Sequence, residues 1–476
     1  MKTKLSYAAL ATTASVALLA GISGANAQTN ATMMGPGEGR TGVQYCTTTM
    51  VNPGHNDCVM PAASAPGGGS FPGSFLVPGT NTSFAVHGYI QADIEHNFGP
   101  HTGDTSFSAN GVALEGLGIP NATAQTHALN GGTDMTVKAT RPNIETRTPT
   151  GYGELKTYIE FDFNQTAGSQ LGGNNDLLRL RQAYGTLGPW LIGQTYSLFA
   201  DLQAYADTAA GAQDVGMLNT FNVRRPMVRY TWLAGNGVSV AGAIEQPSYA
   251  GAAFSTGTNT AAVLTASTLN GVSVYYNLPR AVAAAQLDQP WGHVKLAVGG
   301  GATDVRQTNV TAGGTTSTPN HQIGDYAITL SGHLNTWGKD ALRGGLTYNY
   351  GAADFTSFNT QGSAVFNNSS GAFSIERTMS AYASYEHFFT GQWRTNAAAG
   401  YMHISGNPFN VSCGTGGTAC PQAGMVRAAL TSELNVIYSP VPQTDFWLEW
   451  QHAYRKMMSG ANGTLNEVDA EFRFYF

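Results

Sequence analysis

The sequence predicts an all-β protein, a transmembrane antiparallel β-barrel of about sixteen strands behind an irregular Gly-rich N-terminal extension. Three observations carry that expectation. The chain closes on EVDAEFRFYF, alternating to its last residue. It opens on an export signal, yet only 11% of its residues are charged. Between the two ends, short and long connections take turns.

The closing stretch puts Val468, Ala470, Phe472, Phe474 and Phe476 on one parity and Glu467, Asp469, Glu471, Arg473 and Tyr475 on the other. Side chains of a strand alternate between two faces, so one face is apolar and the other polar. Chain ends fray unless something holds them. This segment therefore reads as the closing strand of a barrel, paired with a first strand near Phe84 so that no edge is left in lipid.

At the other end, MKTKLSYAALATTASVALLAGISGANA carries Lys2 and Lys4, a short apolar core, and small residues at Ala25 and Ala27. That is a secretory signal over residues 1–27, with Gln28 opening the exported chain. The apolar core is too short and too dotted with Thr and Ser for a membrane anchor. Residues 28–82 form the extension, rich in Gly, Pro, Ser and Thr, and residues 83–476 form the barrel. No heptads mark a coiled coil.

Composition agrees. A chain of 476 residues would ordinarily divide into domains, but no linker-like shift appears after residue 83. Low charge, 59 glycines and 21 tyrosines suit a barrel, and no apolar run approaches the ~20 residues of a membrane helix. The formal charge is −6, and loss of Lys2 and Lys4 with the signal leaves −8. That excludes a nucleic-acid partner, which needs a basic footprint. Cys46, Cys58, Cys413 and Cys420 form two close pairs. In an oxidising compartment they read as local disulfide staples, and without a CxxC no zinc site is indicated.

The strands follow in order. SFAVHGYIQADIEHNF sets Phe84, Val86, Ile90 and Ile94 against His87, Tyr89, Gln91, Asp93 and Glu95. GELKTYIEFDFN sets Leu155, Ile159, Phe161 and Phe163 against Lys156, Glu160 and Asp162, and ALRGGLTYNYG sets Leu342 and Leu346 against Arg343, Thr347 and Asn349. A soluble sandwich also alternates. Repetition along the whole chain without a helical period favours apolar residues to lipid and polar ones to the lumen. Tight links are expected at 149–151, 188–189, 234–237, 289–292, 338–340, 390–391 and 440–443. Longer connections are expected near 99–133, 165–176, 196–221, 247–271, 306–321, 352–373, 406–423 and 457–463. Trp190, Trp232, Trp291, Trp337 and Trp393 gather at the short-turn side, as an interfacial girdle would.

Several stretches resemble the DcaP-like trimeric outer-membrane porins. PGTNTSFAVHGYIQADIEHNF is similar to the family's first-strand motif, and RPNIETRTPTGYGELKTYIEFDF to its second hairpin. LRLRQAYGTLGPWLIGQTYSLFAD resembles the run into the third long loop, and SELNVIYSPVPQTDFWLEWQHAYRK the penultimate hairpin. The terminal Phe476 resembles the sorting signal of outer-membrane barrels. The likeness spans most of residues 76–476. It departs at the N-terminus, where that family can carry a coiled coil and this chain has a Gly-rich, Cys-bearing segment. What the resemblance implies is a passive outer-membrane channel for small anionic organic acids, dicarboxylates among them. A homotrimer in outer-membrane lipid and the absence of any cofactor are implied with it.

The residues offer a site for that. The connection from 196 to about 221 brings Tyr196, Phe199, Asp201, Tyr205, Asp207 and Asp214, and in porins such a loop narrows the lumen. Parity places Arg179, Arg181, Arg225, Arg229, Lys156, Arg343 and Arg427 on the lumen face. Arginine holds a carboxylate through a planar fork, and a ladder of weak sites permits conduction. Loop acids facing these bases would set up a transverse field. The competing reading is that the arginines pair lumen acids such as Glu160, Asp162, Glu467, Asp469 and Glu471 and stiffen the barrel.

Other classes are weaker. A general or sugar-preferring porin suits the net charge. A barrel enzyme needs a nucleophile beside a base, but no GxSxG or HExxH occurs, and GGGATDV lacks a strand–turn–helix setting. His87 and His333 have lumen parity and read as polar lining. An adhesin would need longer loops.

Overall fold

The computed structural model describes residues 68–101, 129–165, 177–209, 223–247, 254–257, 260–263, 272–275, 278–307, 310–312, 315–317, 320–356, 364–366, 373–405, 426–457, 460 and 462–476. The signal, most of the extension, Asp214 and all four cysteines lie outside them.

Alternation becomes a barrel in chain order. β1 is Ser83–His101, and β2 is Leu129–Thr136 resumed as Arg141–Thr150. β3 is Gly153–Gln165, β4 Leu177–Leu187, β5 Trp190–Tyr196 and β6 Arg224–Gly235. β7 is Val238–Glu245, β8 Arg280–Gln289, β9 Gly292–Gln307 and β10 Asn320–Asn335. β11 is Ala341–Tyr350, β12 Arg377–Phe388 and β13 Trp393–Ser405. β14 is Val426–Tyr438, β15 Thr444–Met457 and β16 Asn462–Tyr475. Each pairs antiparallel with its neighbours, giving the expected sixteen wall strands.

Closure takes place where the alternation of the last residues requires it. β16 pairs with β1 from Tyr89↔Tyr475 to Phe98↔Asn466. Phe476 donates its N–H to Gly88 O at 3.0 Å and accepts from Gly88 N–H at 3.2 Å. The seam is thereby paired rather than left as a free edge, as lipid demands. No helix among the described residues is long and apolar enough to cross a membrane; the crossing is made by strands.

Parity sorts the faces. Val86, Ile90, Ile159, Leu346 and Phe474 are exposed on the outside, while Gln91, Asp93, Glu160 and Asp162 are buried inward. Trp190, Trp232, Trp291, Trp337 and Trp393 are all exposed on the short-turn side. Asn236 and Gly237 take φ of 52° and 78°, the left-handed pair that a tight hairpin between β6 and β7 needs.

The polar-inward rule fails on one arc. The inward parity of β7–β10 carries Ala241, Ala243, Val282, Ala284, Ala297, Gly299 and Ala327. These small residues leave room for a second layer of chain inside the barrel.

Candidate functional site

That second layer is the connection after β5. It turns inward because Glu245 of β7 holds its first residues, accepting from Ser197 Oγ and from the Leu198 N–H, each at 2.7 Å. Leu198 and Phe199 then pack on the small-residue arc, and Phe199 meets Phe355 at a 4.8 Å ring separation. A Cβ at Gly299 would stand 2.7 Å from Phe355, so this close packing depends on glycine.

The loop is tied down along its length. Lys295 Nζ donates to Ala200 O at 2.6 Å. Asp201 lies 2.9 Å from His293 Nε2 and accepts from Ser331 Oγ at 2.7 Å. Tyr382 Oη donates to Ala204 O at 2.6 Å, and Tyr205 packs edge-on against the Tyr382 ring. Arg394 donates to Asp207 at 3.0 Å, Asn435 Nδ2 donates to Asp207 O, and the Ala209 N–H donates to Glu449 at 3.0 Å. The segment 197–209 thus runs across the inner faces of β9, β10, β12, β13, β14 and β15. Burial pushes the Asp201 carboxyl up. The His293 and Lys295 charges and the hydrogen bonds from His293 and Ser331 outweigh burial and hold it down to about 2.

Asp201 and Asp207 therefore turn to the wall behind the loop. The expected field from these two acids to bases across the lumen gives way to anchoring: each carboxylate is engaged by a cation-bearing strand.

The inner face of β2, β4 and β6 is rich in arginine. Arg179 grips Asp162 through two bonds of 2.9 and 2.6 Å. Arg181 reaches Glu160 and Asp162 at 2.8 Å each and donates to Tyr196 Oη at 2.9 Å. Arg224 donates to the same hydroxyl at 3.3 Å and lies over the Tyr196 ring. Arg141 covers the Tyr89 ring at 5.3 Å. Four guanidinium groups thus gather around Glu160 and Asp162, an excess of positive charge.

The other sequence-predicted bases are dispersed. Arg225 is buried between Asp354, 3.1 Å away, and Glu245, 3.8 Å away. Arg229, four residues on, makes no ion pair or hydrogen bond with the described residues, and its Nε is buried without a partner. Lys156 pairs with Glu145 at 3.0 Å and Arg343 with Glu386 at 2.7 Å. Arg427 occupies a bulge between Val426 and Ala428 and is exposed, so simple parity does not apply to it.

Several functional-looking groups escaped the sequence reading. Arg280 joins Asp354 at 2.9 Å and also pairs with Asp325. Asp354 sits on a helical turn, Ala353–Thr356, inside the connection after β11, which no periodicity marks. Arg394 and Lys295 have inward parity and could have been found once the strand starts were known. A separate acidic face joins β14–β16 to β1.

Residues 72–473 match the model of the porin subfamily. The Brucella suis porin Omp2b is 28% identical over 179 residues, 37% of this chain and 40% of that protein. Brucella canis porin Omp2a is 28% identical over 174 residues, 37% of this chain and 44% of that protein. The chain thus aligns with less than half the length of these relatives. Among solved structures, the outer-membrane channel DcaP of Acinetobacter baumannii superposes with a TM-score of 0.63 at 18% identity, covering 84% of this chain and 99% of that one. The anion-selective porin from Comamonas acidovorans gives 0.50 at 12% identity, covering 83% and 100%. At these identities the likeness is one of fold, and it agrees with the DcaP-like resemblance of the sequence.

Proposed function

The chain belongs to the porin subfamily of outer-membrane barrels, and from that premise we propose that it is a passive diffusion channel favouring small anionic organic acids, dicarboxylates among them. The observation that supports the preference is the local excess of arginine on β2, β4 and β6: among the described residues, Arg141, Arg179, Arg181 and Arg224 gather about Glu160 and Asp162. A guanidinium can leave one carboxylate for another at little net cost when both are fork-shaped acceptors. Arg229, unpaired among the described residues, supplies a further site on β6. Successive weak sites are what conduction requires. No chemical step is assigned; the protein is a channel and not an enzyme.

A second reading has its own support. Arg179, Arg181 and Arg225 already have carboxylate partners, and the adjoining wall from β14 to β1 is acidic. On that reading the pore is a general or sugar-preferring one. The reversal potential of the purified protein in a planar bilayer under a salt gradient separates the two. Anion selectivity with block by millimolar dicarboxylate supports the first; a neutral or cation-selective value overturns it. A homotrimer built through the barrel wall is the proposed assembly, and chemical cross-linking in outer membranes tests it.

A further inference from the structure

The outer face of the barrel carries charge of one sign over a broad arc. Among the described residues, the outward parity of β11–β16 holds no Asp or Glu. Its Arg and Lys side chains, Arg377 and Lys456, lie at the long-loop ends of β12 and β15. In cross-strand register Tyr401, Leu430 and Tyr454 form one outward row, and His403, Ala428 and Lys456 form the next row towards the long loops. Arg377 stands one row further, opposite Ser405, and Arg427 is the extra residue of the bulge beside Ala428.

The rings fix the level of these bases. Amphipathic aromatic side chains favour the membrane–water boundary, and Tyr401 is exposed on the outer face. The row beyond it therefore stands at headgroup height, on the side where outer-membrane barrels carry their long exterior loops. Arg377 is exposed, and its guanidinium lies over the Tyr350 ring at 5.6 Å. Tyr350 stacks in turn on Tyr326 at 5.4 Å, so this charge is held on the outer wall and not over the lumen. Arg427 is exposed and Lys456 half-buried. None of the three pairs with an acid among the described residues.

Basic clusters at headgroup height attract anionic lipid, while their alkyl stems lie along the apolar wall. Arginine holds a phosphate through its planar fork, and lysine holds one as a point charge. We propose that Arg377 and Lys456, with His403 and Arg427 on the strands between them, form a docking site for the phosphate groups of lipopolysaccharide in the outer leaflet. Charge complementarity selects this occupant: an acid-free basic strip at this height faces a phosphate-bearing glycolipid, not the solutes of the lumen. Neighbouring strands are ~4.8 Å apart, so the three steps from β12 to β15 put Arg377 and Lys456 on the order of 15 Å apart. That span suits two phosphates of one large headgroup better than a single small anion. The proposal does not depend on the anion preference of the channel.

The test uses the full-length protein in detergent, titrated with lipid A that carries two phosphates and followed by native mass spectrometry. Lipid A stripped of its phosphates is the control. The expected result is saturable binding of the phosphorylated lipid by the wild type. Affinity is expected to be at least tenfold weaker for the stripped lipid, and at least tenfold weaker for the phosphorylated lipid in the double variant Arg377→Gln, Lys456→Gln. Arg377→Gln alone serves the same purpose if the double variant does not fold. Absence of saturable binding, unchanged affinity in a folded variant, or equal affinity for the stripped lipid overturns the proposal. Displacement of the lipid by millimolar inorganic phosphate also overturns it, because that marks a site for small anions. These outcomes are independent of the reversal potential, so the two ideas fail separately.

Discussion

The carboxylate of Asp201 lies 2.9 Å from Nε2 of His293, a contact that fastens the inward loop to the β9 wall. Ser331 on β10 holds the same group at 2.7 Å. One loop side chain is thereby shared by two strands.

This latch has a definite pH dependence. The Asp201 carboxyl is held down to about 2, below its ordinary value near 3.9. A depressed carboxylate contributes stability that is present above the unfolded value and lost as pH falls through the folded one. The contribution is on the order of 2 kcal/mol. Single-channel current is expected to stay quiet from about pH 7 to 4 and to flicker as pH approaches about 2. Asp201→Asn is expected to flicker at neutral pH. A quiet Asn variant would show that the latch does not hold the loop.

Arg394 anchors the far end of the loop and faces three acids: Asp207 at 3.0 Å, Asp445 at 3.4 Å and Glu386 at 3.6 Å. It is buried. Removing one partner of a buried ion pair costs about 3–5 kcal/mol, because the remaining charges lose their compensation. Arg394→Ala is expected to lower the unfolding temperature in detergent and raise channel noise. Unchanged melting would contradict the assigned role.

Arg229 and Arg225 share a strand and a parity but should behave differently. Arg229 has no ion-pair partner among the described residues, whereas Arg225 is fixed by Asp354 and Glu245. Arg229→Ala is expected to reduce the anion-to-cation permeability ratio with little change in melting. Arg225→Ala is expected to lower the melting temperature first. Equal effects from the two on both readouts would remove the distinction.

Gly299 permits the loop to lie flat. A Cβ there would meet Phe355 at 2.7 Å, which in turn packs on Phe199. Gly299→Val is expected to push this aromatic pair into the lumen, reducing conductance and destabilising the barrel by about 1–3 kcal/mol through overpacking. Wild-type conductance in the variant would show that the pair can retreat without blocking the path.

Much of this was legible from local pattern. Period-two alternation gave each strand its two faces, so Asp93, Glu160 and Glu471 were correctly placed inward and Phe474 outward. The alternation of tight and long connections gave the strand count, and the last residues supplied the closing strand against β1. The tryptophan side of the hairpins was visible for the same reason. Parity was weaker at irregularities. Arg427 occupies a bulge, where one extra residue breaks the rule that alternate side chains share a face, whereas Arg181, also at a register shift, still faces inward to Glu160.

What the sequence by itself determined was a strand-built wall, its inner and outer faces and its position in the outer membrane, because these depend on repeats within a few residues. What only the tertiary structure decided was which inward charges meet. Asp201 reaches His293 across 92 positions and Arg394 reaches Asp207 across 187. Arg225 finds Asp354 on an unpatterned turn 129 positions away. Salt bridges and hydrogen bonds act over a few ångströms of space, whereas parity reports only the side of the wall. The fold of the inward loop therefore turned expected pore-facing acids into anchors.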